Sequence, residues 1–86
     1  MTPPQAHKLL LSPPGDTLLE TLEHKGISLA AFAERLGWQP DFMDEIIQGK
    51  ASITEPIAQQ LEKELGISAP FWLERERRYQ LELHRP

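Results

Sequence analysis

Cysteine is absent from this chain of 86 residues, and long apolar runs are absent as well. Without cysteine there are no disulfides, thiolate zinc sites or cysteine nucleophiles. No stretch approaches the roughly 20 apolar residues that a membrane-spanning helix requires. Near the N-terminus only Leu9, Leu10 and Leu11 are consecutively apolar, which is too short for a signal peptide. We therefore expect a soluble protein of the cytoplasm.

Groups that usually carry out catalysis are also scarce. His7, His24 and His84 are far apart in the sequence, and none belongs to a metal-ligand pair such as H-x-x-x-H. No glycine-rich phosphate loop is present, and the carboxylates fall on the predicted solvent-facing sides of helices. The sequence therefore predicts neither an enzyme nor a bound metal or cofactor.

The formal net charge is −4, and the excess of acidic over basic residues falls in one half of a chain that is long enough for one domain. Residues 50–86 are balanced, with arginines crowded near the end. Lys and Arg contacts to phosphate supply most of the non-specific affinity of nucleic-acid binders, so the acidic half is unusual for such a protein. Residues 12–49 contain Asp16, Glu20, Glu23, Glu34, Asp41, Asp44 and Glu45 against Lys25 and Arg35.

The residues from 27 to 50 have the pattern of two short helices joined by a tight turn. Leu29 and Phe32 recur at helical spacing and give the first helix an apolar face. Gly37 supplies the backbone freedom that a sharp exit from a helix needs, and Pro40 suits the first turn of the next helix. Ala33 is expected where the two helices approach most closely. The pattern predicts a helix-turn-helix. It also assigns Ser28 as the first helix's cap and Leu36, Met43, Ile46 and Ile47 as buried positions.

Three further helices are predicted around this motif. One opens near Asp16 and ends at Gly26, another follows a cap at Thr54 and ends at Gly66, and the last opens at Ser68. Because no segment has a strand pattern, we expect an all-α fold of five helices. The predicted core comprises Leu18, Leu22, Phe32, Leu36, Ile46, Ile57, Leu61 and Leu65.

Several short motifs occur in the order and spacing of a known family. They are P-G-D at Pro14, G-I-S at Gly26, A-E-R-L-G at Ala33, E-I-I-Q-G-K at Glu45 and F-W-L at Phe71. Over most of its length the sequence resembles the antitoxins of host-inhibition-of-growth (HigA/VapI-like) toxin–antitoxin pairs. These belong to the phage-repressor-like (XRE) helix-turn-helix proteins. The resemblance implies a lambda-repressor-like DNA-binding domain.

The same resemblance implies a transcriptional repressor that binds a palindromic operator as a homodimer and also binds a basic toxin. In such proteins the second helix of the motif enters the major groove. Gln39 is then placed to pair with adenine, Glu45 to accept from cytosine and Phe42 to contact a thymine methyl group. Lys50 is placed to meet a phosphate. The residues carried over as DNA contacts are Ser28, Gln39, Asp41, Phe42, Glu45, Gln48 and Lys50.

The predicted reading helix departs from the family's pattern because it is acidic. Asp41 and Asp44 lie in it, and no basic residue occurs between Gln39 and Gln48. Each carboxylate held a few ångströms from a phosphate is repelled by about 1 kcal/mol at aqueous screening. An alternative function is therefore an interaction module that keeps the helix-turn-helix scaffold, has weak or no DNA binding, and docks a basic protein through its acidic face.

The last predicted helix offers a second surface. Trp72, Tyr79 and Leu83 share one side of it, and residues 74–78 alternate in charge around the rest. This pattern suits a symmetric dimer contact with aromatic anchors and arginine at the rim. It also suits a helix that covers the core, and core packing is favoured for Phe71 and Trp72. The predicted dimer residues are Trp72, Arg75, Tyr79 and Leu83. The predicted organisation is a flexible arm over 1–12 and a helix-turn-helix domain over 13–86 that ends in this dimerisation helix.

Overall fold

The computed structural model describes residues 12–84, and this part of the chain folds into five α-helices without a β-strand. They are α1 (Pro14–Lys25), α2 (Leu29–Leu36), α3 (Pro40–Gln48), α4 (Glu55–Leu65) and α5 (Ala69–Leu83). The predicted all-α fold of five helices is confirmed.

Serine and threonine residues precede three of the helices, as the sequence predicted, but they do not all act alike. The Ser28 hydroxyl accepts a hydrogen bond from the Ala31 N–H at 3.0 Å, and Ser68 accepts one from the Phe71 N–H at 3.3 Å. Thr54 occupies the capping position of α4, yet its side chain makes no capping hydrogen bond. Two of the three helices therefore gain the stabilisation of a side-chain cap.

The core is formed by side chains from all five helices and from the loop before α4. Trp72 is completely buried, which places its large side chain at the centre of the packing. Two predicted core residues, Leu36 and Ile57, are only half-buried at the edge of this core. The buried apolar residues are Leu18, Leu22, Phe32, Ala33, Met43, Ile46, Ile53, Ala58, Leu61, Leu65, Ala69 and Trp72.

Helix α1 lies directly against the backbone of α3 at Gly15. A Cβ atom at this position would be 2.2 Å from the carbonyl oxygen of Ile47 and 2.4 Å from that of Ile46. Such distances leave no room for any side chain. The sequence predicted Ala33 as the small residue that is critical for packing, and Ala33 is buried. At Gly15 of α1, however, the backbone of α3 leaves no room for any side chain.

Arg75 on α5 holds the beginning of α1. Its guanidinium donates hydrogen bonds to the carbonyl oxygens of Ser12 at 3.2 Å and Pro13 at 3.0 Å, and to the Thr17 hydroxyl at 3.1 Å. The Ser12 hydroxyl in turn donates to the Asp16 carboxylate at 2.8 Å. Ser12 was predicted as the last residue of a flexible arm and is instead fixed to the domain. The rest of that arm, residues 1–11, lies outside the described residues.

Glu76 is buried, although the sequence predicted a solvated, charged face for this part of α5. Its carboxylate accepts the Ile53 N–H at 3.0 Å and the Gln80 side-chain amide at 2.6 Å. A buried carboxylate is tolerated when such donors replace water. Glu76 therefore fixes the loop that follows α3 to the last helix.

Candidate nucleic-acid interface

Helices α2 and α3 form the predicted helix-turn-helix. The chain leaves α2 through Gly37, whose φ of 75° is in the left-handed region that favours glycine. The Trp38 N–H then donates to the Ala33 carbonyl oxygen at 2.8 Å, which closes the end of α2. This turn brings the exposed side of α3 to the surface of the domain.

Trp38 lies at the turn and connects both helices of the motif. Its ring stands edge-on to Phe32 of α2 at 6.4 Å and to Phe42 of α3 at 5.2 Å between centroids. Its indole N–H donates to the Gln60 side chain on α4 at 3.2 Å. Edge-on aromatic pairs are favourable beyond simple burial, so Trp38 stabilises the angle between the two helices. No role for Trp38 could be predicted from its sequence context, because its partner on α4 is distant in the chain.

Most of the predicted DNA contacts are exposed in the structure. Phe42 differs from the others, since it is half-buried against Trp38 and contributes to packing. The Ser28 hydroxyl already accepts from a backbone N–H but retains its own hydrogen for donation. The exposed predicted residues are Ser28, Gln39, Asp41, Glu45, Gln48 and Lys50.

The exposed side of α3 is acidic, because it carries Asp41, Asp44 and Glu45. Arg35 is a cation within the motif, and its guanidinium lies 3.7 Å from the Glu64 carboxylate of α4. Lys50 follows α3 directly, and its backbone N–H donates to the Glu45 carbonyl oxygen at 2.8 Å. The side chain of Lys50 is exposed.

The C-terminal end of α3 is held by α5. A Cβ atom at Gly49, which has a φ of 81°, would lie 3.0 Å from the Tyr79 hydroxyl and 2.7 Å from Cβ of Pro13. Tyr79 therefore packs against the end of α3. Together with the contact at Gly15, it fixes the backbone of α3 on its inner side.

The predicted dimer residues have different environments. Trp72 is 0% exposed, so its assignment to a dimer surface is wrong, because the core of its own chain already encloses it. Arg75 is half-buried and hydrogen-bonded to the start of α1, and Tyr79 is half-buried against Gly49. Leu83 is 48% exposed. Phe71, for which core packing was expected, is 41% exposed.

Residues 12–84 contain no group of three or more histidine and acidic side chains placed to hold a metal ion. None of the five helices within the same range combines the length and apolarity needed to cross a bilayer.

The fold and the exposed α3 define a helix-turn-helix protein of the type that docks a helix in DNA. The chain is 37% identical to a Nostoc punctiforme protein assigned as an antidote of a plasmid maintenance system. That likeness has a TM-score of 0.73 and covers 79% of this chain and 75% of the other. An addiction module antidote protein of the HigA family from Coxiella burnetii gives a TM-score of 0.77 at 28% identity, covering 85% and 80% of the two chains.

Sequence comparison agrees with the structural one. The chain is 33% identical over 60 residues to YddM, an uncharacterized HTH-type transcriptional regulator of Escherichia coli strain K12. The match covers 70% of this chain, which spans only 64% of the length of YddM. No protein-family model matches the chain. On the likeness to the Nostoc protein, the chain belongs to the family of helix-turn-helix antidote proteins, as its sequence motifs predicted.

Proposed function

We propose that this protein is a sequence-specific DNA-binding repressor and the antitoxin of a type II toxin–antitoxin pair. The observation that carries the proposal is the rigid presentation of α3. Its inner side is fixed by Gly15 and Gly49, while the polar residues of its outer side are exposed. A helix held in this way can enter a major groove without first being ordered.

The exposed side chains suit readout of bases more than attraction to phosphates. Gln39 has both a donor and an acceptor and can pair with adenine, and Gln48 is available for similar contacts. Asp41 and Glu45 can only accept when ionised, so cytosine, whose amino group donates in the major groove, is their matching base. Lys50 supplies the positive charge for a backbone phosphate. We propose that these five residues, with Ser28, form the DNA contacts.

A homodimer is the proposed binding form, with Tyr79 and Leu83 of α5 at the contact. Leu83 leaves an apolar side chain half exposed on the turn of α5 that follows Tyr79. A two-fold pair would place two copies of α3 in major grooves about 34–36 Å apart. We also propose a basic toxin as the second partner.

Charge substitutions in α3 and directly after it test the DNA-binding function. With Lys50 as the phosphate contact of each protomer, a dimer neutralises about two phosphates, and log K should fall with log salt at a slope near −1.8. Lys50→Glu should weaken binding to the palindromic operator fragment, and Asp44→Arg, which changes an exposed carboxylate outside the proposed contacts, should strengthen it. Lys63→Glu on α4 makes the same charge change away from α3 and is the matched control. Fluorescence anisotropy with labelled DNA measures all four proteins.

Two results would contradict the proposed DNA binding. If Lys50→Glu and Lys63→Glu have equal effects, or if wild-type protein binds no fragment from the region upstream of its gene, groove insertion by α3 is excluded.

The acidity of the exposed side of α3 favours a second candidate function, a protein-interaction module without DNA binding. Asp41, Asp44 and Glu45 are all exposed on α3. Asp44→Arg separates the two functions, because it reduces repulsion from DNA but opposes docking of a basic protein. Stronger DNA binding by this variant supports the repressor. Loss of toxin binding together with unmeasurable DNA binding supports the module.

A further inference from the structure

A groove of about 550 Å³ runs between α2 and α3 on the surface of the motif. Its base is formed by Ala33 and Met43, and Ala30 and Pro40 line its two sides. Ala30 and Ala33 are three residues apart on α2, so two small side chains face the groove together. The volume is within the range of about 300–1,000 Å³ that is typical of ligand-binding pockets.

Two carboxylates border this otherwise apolar groove. Glu34 comes from α2 and Asp44 from α3, and both are exposed. Neither side chain has an ion-pair or hydrogen-bond partner within residues 12–84. The nearby cation of α2, Arg35, instead lies beside Glu64. The groove therefore combines an apolar interior with uncompensated negative charge at its rim.

We propose that this groove binds a cationic, amphipathic peptide segment of a protein partner. An apolar side chain of the segment would occupy the space above Ala33 and Met43. Flanking Lys or Arg side chains would meet Glu34 and Asp44. The charge complementarity selects this occupant, since an acidic segment would be repelled and a purely apolar one would leave both carboxylates without a counter-charge.

Occupation of the groove would interfere with DNA binding. Pro40 and Asp44, which line the groove, alternate along α3 with Asp41 and Glu45, the proposed base contacts. A segment seated there would cover part of the surface that must enter the major groove. The competition with DNA rests on the proposed function, whereas peptide binding itself does not.

Chemical-shift mapping of the free protein with a defined peptide tests the binding site. The probe is a short capped peptide with a leucine–phenylalanine pair flanked by arginines on both sides. We expect saturable shifts at Ala30, Ala33 and the Trp38 indole. Asp44→Asn and Glu34→Gln should each weaken binding about two- to fivefold, the typical effect of losing one exposed ion pair.

The controls separate the groove from general acidity. Ala30→Trp fills the groove from an exposed position and should abolish binding, while Glu23→Gln removes an exposed carboxylate on α1 and should leave it unchanged. A probe with glutamates in place of the arginines should not bind. Shifts centred on another helix, equal effects of Glu23→Gln and Asp44→Asn, or no saturable shifts up to the solubility limit of the peptide would overturn the inference.

A competition arm distinguishes failure of this inference from failure of the proposed function. We expect the arginine peptide to displace operator DNA from wild-type protein but not from Ala30→Trp. Peptide binding without any DNA binding would refute the repressor alone. DNA binding without peptide binding would refute the groove site alone.

Discussion

Gly15→Ala tests whether the approach of α1 to α3 sets the position of the recognition helix. The added Cβ would lie 2.2 Å from the Ile47 carbonyl oxygen, whereas ordinary contacts of a Cβ begin at 3.4 Å. Because the atoms it meets belong to the backbone of α3, no side-chain rotation can relieve the overlap. The two helices must separate, and α3 is the shorter of them.

Two opposing effects determine the size of this perturbation. Alanine is favoured over glycine within a helix by roughly 0.5–1 kcal/mol. Overpacking a well-filled contact costs about 1–3 kcal/mol, and the rigid backbone of α3 places this case at the upper end. The free energy of unfolding of Gly15→Ala should therefore fall by about 2 kcal/mol, a large part of the 5–15 kcal/mol that stabilises a small domain.

Urea unfolding followed by circular dichroism measures the loss. With a denaturant slope of about 1–2 kcal/mol/M, the midpoint should fall by about 1–2 M. Gly26→Ala is the comparison, because its Cβ would meet nothing within 4 Å and only its φ of 71° opposes the change. For Gly26→Ala, the free energy of unfolding should fall by about 1–2 kcal/mol while the affinity for DNA stays the same. For Gly15→Ala, the affinity for DNA should fall as well. A Gly15→Ala midpoint equal to that of the wild type would refute the reasoning.

Three further predictions concern α5. Arg75→Met removes the guanidinium that holds the start of α1, so the unfolding free energy should fall by about 1.5–3 kcal/mol, and an unchanged urea midpoint would contradict this role. Glu76→Ala leaves the buried Ile53 N–H without an acceptor. It should cost about 1–3 kcal/mol and accelerate hydrogen exchange at that amide, whereas exchange as slow as in the wild type would argue against the contact. The pKa of Glu74 is lowered from 4.5 to about 2, mainly by its hydrogen bond with Arg77. A carboxylate whose folded pKa is lowered stabilises the protein above its unfolded pKa and loses that effect as the pH falls, so Glu74→Gln should unfold with a flatter pH dependence between about pH 4.5 and 2. The effect will be small because the ion pair is exposed, and identical pH profiles for both proteins would disprove it.

The sequence was sufficient to locate the helices because their ends depend on local chemistry. Proline can occupy the first turn of a helix, and glycine readily adopts the left-handed conformation that ends one. The predicted ends at Gly26, Gly37 and Gly66 are therefore found in the structure, and Gly49 ends α3 in the same way. Periodicity likewise identified the buried side of α3, since Met43 and Ile46 are both buried.

Contacts between distant parts of the chain could not be predicted in the same way. Glu76 meets the backbone of Ile53, which is 23 residues earlier, and Arg75 meets that of Ser12, which is 63 residues earlier. Glu76 belonged to a run of mixed charge and Arg75 was assigned to the dimer contact, because sequence gives the charge of a residue and not the donors or acceptors that surround it.

The way α3 is fixed explains why its exposed charges can vary without loss of the fold. The backbone of α3 contacts Gly15 from one side, and Gly49 at its end packs against Tyr79. Neither contact involves the exposed carboxylates of α3, and surface substitutions away from packed contacts usually change stability by no more than about 0.5 kcal/mol. The charge of Asp44 can therefore be altered while the helix keeps its position. It follows that a change in binding caused by Asp44→Arg reports the preference for a partner, because the scaffold that presents the residue stays the same.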